Sequence, residues 1–298
     1  MLAMACALAK SKRQRRMVKR TEGGWKASTL NQYVENGDEQ TYRENFRVSR
    51  ATFVHIRSKL SGAGYVADNK CRDIRFRMTA AFKIGVSLYF LAHGCCVAKM
   101  VGDVASIGAS TVTKYLHQFC SGVLVVLRPI YMPATPPTPA KIAARRAEFG
   151  KRRGINNVAM AADGSHVPVR GGPDYRNYKG WTSILAFAFV DSFYMFIDAD
   201  VGAAGRAGDN SVLAQSWLLE QIKADPEAWL GKDGVIAADG GASDGGELLL
   251  NPILSAREPQ DCHYNFCHSL TRFFVEETFG RWKNRFWFLL RESHLDHI

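Results

Sequence analysis

The sequence predicts an α/β protein in which an all-α region precedes a sheet-bearing domain. Three observations carry that prediction. Between Phe46 and Leu127 apolar residues recur at helical spacing, as in FRVSRATFVHIRSKL and MTAAFKIGVSLYFLAHG. The stretch MPATPPTP at 132–139 then breaks the pattern, because proline lacks the N–H that a helix interior or central strand needs. From Val158 onward, apolar runs of strand length (VAMAAD, TSILAFAFVD, YMFIDADV, VIAAD) alternate with helical stretches.

At 298 residues the chain can bury a full core and hold two folded units. With 47% hydrophobic and 22% charged residues it falls among ordinary globular chains. A net charge of +11 and a pI near 9.4 point to a polyanionic partner, either nucleic acid or an acidic membrane surface. Seven cysteines without a CxxC pair suit a reduced intracellular setting with no disulfide framework. Cys262-His263 and Cys267-His268 match no common zinc spacing. The longest apolar run, 82–92, is too short to span a bilayer and carries Lys83. In residues 1–9 the charges follow the apolar stretch, the reverse of a secretory signal.

Residues 1–41 are expected to form a basic tail and a linker. The run KSKRQRRMVKR at 10–20 holds seven basic residues and no acid, so it cannot build a core. It suits a nuclear import signal or a nucleic-acid-binding tail, and equally a solvated terminus. Residues 23–40 are polar and turn-rich. A helical region is expected over 42–131, with Ser49 capping one helix and Gly94 closing a buried one. In CVAKMVGDVASIGASTVTKYLHQFCSGVLVVL one helix ends near Ala105, Ser106-Ile107-Gly108 turns, and Ser110 caps a second that runs past Cys120. This is helix-turn-helix spacing, with Ser110, Thr111, Thr113, Lys114 and His117 available to a DNA groove or backbone. The same spacing suits an ordinary helical hairpin within a bundle.

Residues 132–157 combine the proline-rich linker with a helix over 141–153 that holds six basic residues and one acid. That helix would lie along a phosphate backbone or simply present a solvated face. The last domain, 158–298, opens with VAMAADGSHVPVR: a strand with Asp163 at its end, a turn at Gly164-Ser165, and a second extended piece. A hairpin follows, turning near Ser192-Phe193. Residues 210–223 make an amphipathic helix with Val212, Leu213, Trp217, Leu218 and Ile222 on its apolar side. A short buried strand ends at Asp239, and 269–290 is the last long helix. Asp163, Asp209, Asp239 and Glu276 are thus carried on or beside successive core elements. Such a set suits hard divalent cations, whose preferred ligands are carboxylate oxygens.

At these residues the chain resembles the transposases of the PIF/Harbinger group and the nucleases derived from them. The motifs AADGSHVPV, YRNYKGWTSILAFAFVD, DADVGAAGRAGDNSVL, VIAADGG and YNFCHSLTRFFVEETFGRWKNRF occur in that order, and the resemblance covers Phe46 to the C-terminus. It implies a helix-turn-helix region followed by an RNase-H-like DDE nuclease domain. The implied activity is that of a DNA endonuclease dependent on Mg²⁺ or Mn²⁺, cleaving phosphodiester bonds and transferring strands. The catalytic and metal-binding acids carry over to Asp163, Asp239 and Glu276, with 36 residues between the last two and Asp209 as an accessory metal ligand. Related DDE enzymes place an arginine four residues before the final acid and a lysine seven after it, here Arg272 and Lys283. At about 100° per residue these three fall within roughly 60° on one helix face, and Glu277 is turned about 100° away. One face then offers a carboxylate for metal and two cations for DNA phosphates. The same charges would also suit a surface helix with i,i+4 pairs. With the basic run, the resemblance implies a nuclear protein working with DNA, and it brings in a separate Myb-like DNA-binding protein as partner.

Gly208 stands where the family has histidine before the acid, and glycines follow Asp239 where the family places an aromatic residue. Relatives continue for several dozen residues past the position of Ile298, which implies a C-terminally truncated domain. The alternative from a different class is a transposon-derived DNA-binding or adaptor protein that keeps the fold without catalysis. A third reading, a transcription regulator with a sensor domain, requires a ligand pocket in place of the acids.

Overall fold

The computed structural model describes residues 24–70, 77–94, 98–239 and 246–294. The basic run at 10–20 and the glycines that follow Asp239 lie outside the described residues. The chain divides into two compact units, Met1–Pro129 with Phe286–Phe288, and Ile130–Arg285 with Leu289–Ile298. No helix among the described residues is long and apolar enough to cross a membrane.

The first unit is helical, and it begins earlier than expected. Instead of a linker, the chain from Trp25 forms a 3-10 turn followed by α1 (Thr29–Asn36). Composition hid this helix, because its few apolar residues share one side: Trp25, Leu30 and Val34 are all buried. Ser28 supplies the start signal by accepting a hydrogen bond from Asn31 N. Asp38, Ser49 and Thr79 do the same for α2 (Glu39–Phe46), α3 (Arg50–Gly62) and α4 (Ala80–His93). Gly94 closes α4 in the left-handed conformation, at φ 61°. Tyr42, Phe46 and Phe53 pack with ring centroids 5.1–5.4 Å apart at the centre of this unit. Lys83 is buried, and its ammonium donates to Ala67 O and Asn69 Oδ1, which satisfies the charge inside an apolar helix.

Next come α5 (Ala98–Ala105) and α6 (Ala109–Gly122), joined by a tight turn with Ser106 at φ 54°. The expected cap is corrected here. Gly108 is the N-cap without a side-chain bond, and Ser110 lies inside α6. The chain turns early because Ile107 is buried and its N–H closes back onto Gly102 O at 2.9 Å. α6 buries Val112, Tyr115 and Phe119. Ser110, Lys114 and His117 are exposed, and Thr111 and Thr113 are half-buried.

The second unit carries the sheet. The proline-rich stretch leads directly into α7 (Pro139–Arg153), which packs on the first strand, so 132–157 belongs to this unit and is not a separate linker. Ile142, Arg145 and Phe149 form its buried face. Arg145 is therefore withdrawn from the basic surface. Its guanidinium pairs with Asp191 at 3.1 Å, and Asp191 also accepts from Phe193 N and Met195 N. That bond set fixes the hairpin turn against α7, and losing one partner would leave a buried charge unpaired.

Among the described residues five strands pair in the order β3-β2-β1-β4-β5, with β1 (Val158–Arg170), β2 (Ser183–Val190), β3 (Phe196–Ala204), β4 (Val235–Ala237) and β5 (Leu249–Leu250). β1, β2 and β3 are antiparallel, whereas β4 runs parallel to β1 and β5 to β4. A short β6 (Ser293–His294) runs parallel to the far end of β1. One face, with Met160, Ala162, Phe187, Phe189 and Ile236, is covered by Leu213, Leu218, Ile222, Trp229 and Leu230. These come from α8 (Asp209–Leu213), α9 (Trp217–Ala224) and α10 (Pro226–Leu230); α8 and α9 stand where a single helix was expected over 210–223. Ser216 breaks that helix as the N-cap of α9. The other face presents small residues, Ala161, Ala186, Ala188 and Ala237, to Phe149, Phe274 and Phe279. Small strand residues let the aromatic side chains of α7 and α11 (Pro259–Arg285) settle close to the sheet.

α11 begins at Pro259 rather than near Ser269 and stops at Arg285, followed by a 3-10 turn over Trp287–Leu290. Side-chain bonds, which periodicity does not reveal, anchor its first turns. Tyr264 donates to Asn251 O, and the Asn265 amide bonds both Ile253 N and Ile253 O. The Cys/His pairs lie on this helix. Cys267 Sγ meets His263 at 3.6 Å, and His268 bonds Leu250 O.

Candidate active site

β1 is one continuous strand, which changes the expected position of Asp163. Its pairing with β2 runs unbroken from Ala161↔Val190 to Pro168↔Ser183, so Asp163 lies mid-strand and Gly164-Ser165 is no turn. The glycine has another cause. A side chain at Gly164 would collide with the Asp209 carboxylate, which lies directly over it.

Asp163 lies beside the other edge of β1. Pairing with β4 ends at Ala161↔Ala237, and pairing with β6 begins only at Val169. Asp163 and Asp239 each stand two residues past that last β1–β4 pair, at equivalent register positions where, among the described residues, the ladder opens. Because side chains alternate along a strand, Asp163 shares the face of Ala161 and Val167, the face that α11 covers.

α11 meets Asp163 with Arg272. The guanidinium donates through Nη1 to Asp163 Oδ2 at 2.5 Å and through Nη2 to Glu276 Oε1 at 2.6 Å. Asp163 Oδ1 accepts from Gly164 N at 2.8 Å. Burial nonetheless pushes the Asp163 carboxyl up to about 6, and the charges of Asp209 and Glu276 add to that rise against Arg272 and the Gly164 N–H. Asp209 is raised as well, chiefly by burial. His166 opposes the shift, and the charge of Asp239 adds to it. The four acids thus act on one another electrostatically, with Asp239 and Glu276 at the exposed end.

Lys283, seven residues beyond Glu276, also reaches β1. Its ammonium donates to Ser165 Oγ and His166 O at 2.7 Å each, and burial lowers its pKa. Glu277 faces elsewhere, bonded to Arg281 at 2.6 Å, a bond that holds its carboxyl below the usual range. Thr111, Thr113 and Lys114 lie on α6 in the first unit.

Sequence reasoning did not single out His166 or Ser165. His166 bonds Ser183 Oγ at 3.0 Å, and burial holds its imidazole below its usual pKa. A histidine three residues from Asp163 in the same strand was the available signal.

Among the described residues, no group of three or more His, Cys, Asp or Glu side chains is arranged to hold a metal ion. Arg272 bonds both Asp163 and Glu276. The donor chemistry still fits a hard divalent cation, whose preferred ligands are carboxylate oxygens: Asp163 and Glu276 share Arg272, and the Asp209 carboxylate lies over Gly164.

The fold and site define a class, an α/β domain with a carboxylate cluster and two cations at the open edge of its central strand. Residues 162–297 match the family described as DDE superfamily endonuclease, and this match supports a DDE-type transposase nuclease. The matched span begins beside Asp163 and takes in Asp209, Asp239, Arg272, Glu276 and Lys283. No curated protein and no solved structure matches the chain.

Proposed function

We propose that the chain is a divalent-metal-dependent DNA endonuclease of the DDE transposase type, from the PIF/Harbinger group, with an RNase-H-like nuclease domain. The observation that carries this reading is that Arg272 bonds both Asp163 and Glu276 beside β1, with the Asp209 carboxylate lying directly over Gly164. The strand order, with three antiparallel strands continued by two parallel ones, supports the fold assignment.

Asp163, Asp239 and Glu276 would hold Mg²⁺ or Mn²⁺, with Asp209 as accessory ligand. Such ions, when bound, lower the pKa of water and offset charge on the phosphate oxygens. The protein's part is positioning. Arg272 must exchange at least one of its carboxylate partners for a phosphate oxygen, since a guanidinium binds either in the same forked geometry. Lys283 has three donors, of which Ser165 and His166 take two, and the third is offered to the DNA backbone. In the first unit Thr111, Thr113 and Lys114 would contact DNA, with α6 entering a groove. Strand transfer, a nuclear location and a Myb-like partner protein extend the same proposal on the resemblance and the basic run.

The direct test is nicking of supercoiled DNA by wild type and Asp163→Ala, each with Mn²⁺ and with EDTA. Nicking by wild type only with metal, and by the variant under neither condition, supports the enzyme. One observation favours the second reading, an adaptor without catalysis: Arg272 already pairs with both Asp163 and Glu276. Metal-independent DNA binding without any nicking would establish that reading.

A further inference from the structure

Beside the acids, the connection from β1 to β2 holds two aromatic rings on a tip braced by hydrogen bonds. Tyr178 is 83% exposed and Trp181 37% exposed. Both rings pack edge-on against the same imidazole, that of His166, at 5.8 and 5.9 Å. The tip between them is built around Asn177, which is only 4% exposed. Its Oδ1 accepts from Lys179 N at 2.9 Å and Trp181 N at 3.4 Å, and its Nδ2 donates to Ser183 Oγ at 3.0 Å. Ser183 Oγ in turn bonds His166 Nδ1. Backbone bonds from Asn177 N to Trp181 O and from Gly180 N to Asn177 O close the turn. Gly180 at φ 89° permits it, because other residues rarely adopt that conformation.

The Tyr178 ring, held in water on a pre-ordered turn, gains little from burial, and the bonds around Asn177 bury only the base of the tip. The charges nearby are positive. Lys179 Nζ lies 5.4 Å from the Tyr178 ring, and both Lys179 and Lys283 act on His166. Flat exposed rings flanked by ammonium groups are the chemistry that holds an unpaired nucleobase and its phosphates, by stacking and by charge. A fully paired duplex keeps its base faces inside the stack, out of reach.

We infer that the Tyr178–Trp181 tip is a stacking site for an unpaired nucleobase of the DNA strand presented to the acid cluster, with Lys179 on the adjoining phosphate. This inference rests on the nuclease reading only for the identity of the ligand as DNA. The pre-ordered tip lowers the entropic cost of capture. His166, three residues from Asp163 on the same strand, backs both rings.

The test measures binding in EDTA, so that no cleavage is involved. The full chain is titrated by fluorescence anisotropy against a fully paired duplex and the same duplex with a three-nucleotide mismatched bubble. Wild type should bind the bubble about ten-fold more tightly, in the range one or two stacked bases produce. Tyr178→Ala and Trp181→Ala should bring that preference to within about two-fold without changing affinity for paired DNA, and Tyr178→Phe should retain it. Thermal melting confirms that the variants fold, and the exposed Tyr178 makes its variant the more secure of the two. Equal binding of both DNAs by wild type would overturn the inference, as would a preference that survives Tyr178→Ala. A protein that nicks DNA yet shows no bubble preference loses this site and keeps the nuclease reading. Bubble preference without nicking does the opposite.

Discussion

Arg272 reaches from the last long helix to Asp163 in the middle of the central strand, with donor and acceptor 2.5 Å apart and 109 residues apart in the chain. The same guanidinium holds Glu276. If the acids bind a divalent cation, Arg272 competes with it for the same oxygens. Arg272→Gln should therefore tighten Mn²⁺ binding, measured calorimetrically, while reducing DNA nicking by about ten-fold or more through loss of a phosphate contact. Weaker Mn²⁺ binding in this variant would mean that the arginine orients the acids and does not compete for them.

The raised Asp163 carboxyl makes a signed prediction for stability. Its folded pKa of about 6 lies above the ordinary value of 3.8, so between those pH values the folded state holds more protons than the unfolded one. Stability from this group is full below about pH 4 and falls as pH rises to about 6. Asp163→Asn removes the term. Without metal, the variant should gain on wild type over that window by at most about 2–3 kcal/mol, less whatever the lost Arg272 bond contributes. Urea unfolding at pH 4 and pH 7 in EDTA measures this. A variant that loses ground as pH rises would show that Asp163 is stabilised in its ionised form.

The space over Gly164 belongs to the Asp209 carboxylate. Gly164→Ala should displace Asp209 while leaving the extended strand, so metal-dependent nicking should fall by about ten-fold or more. Circular dichroism should be unchanged. Unaltered nicking would remove Asp209 from the site.

Phe274 is fully buried between the sheet and α7, two residues from Arg272 and from Glu276. Phe274→Ala should cost about 3–5 kcal/mol in chemical denaturation. A loss below about 1 kcal/mol would mean that α11 is not held by this packing.

The sequence made the helices of the first unit and the strands of the sheet legible because each rests on local pattern: helical period and strand-length apolar runs. It misplaced what depends on distant partners. Gly164 reads as a turn residue until Asp209 is seen lying over it. The first turns of α11 look irregular because Tyr264 and Asn265, and not an apolar stripe, anchor them. α1 was hidden in a polar stretch whose few apolar residues all face inward. The shared arginine was also beyond the sequence. Spacing puts Arg272 and Glu276 on one face, but only the strand register brings Asp163 to meet them.

The central claim is that Glu276, and not its neighbour, completes an acid site for metal. Plasmid nicking in Mn²⁺ by wild type, Glu276→Gln and Glu277→Gln tests it most directly, because both substitutions remove one charge and keep side-chain size. Glu276 shares Arg272 with Asp163, whereas Glu277 is bonded to Arg281. Wild type should nick only with metal, Glu276→Gln should fall by about a hundred-fold or more, and Glu277→Gln should stay within a few-fold of wild type. Equal losses in the two variants, or no metal-dependent nicking by wild type, would contradict the account.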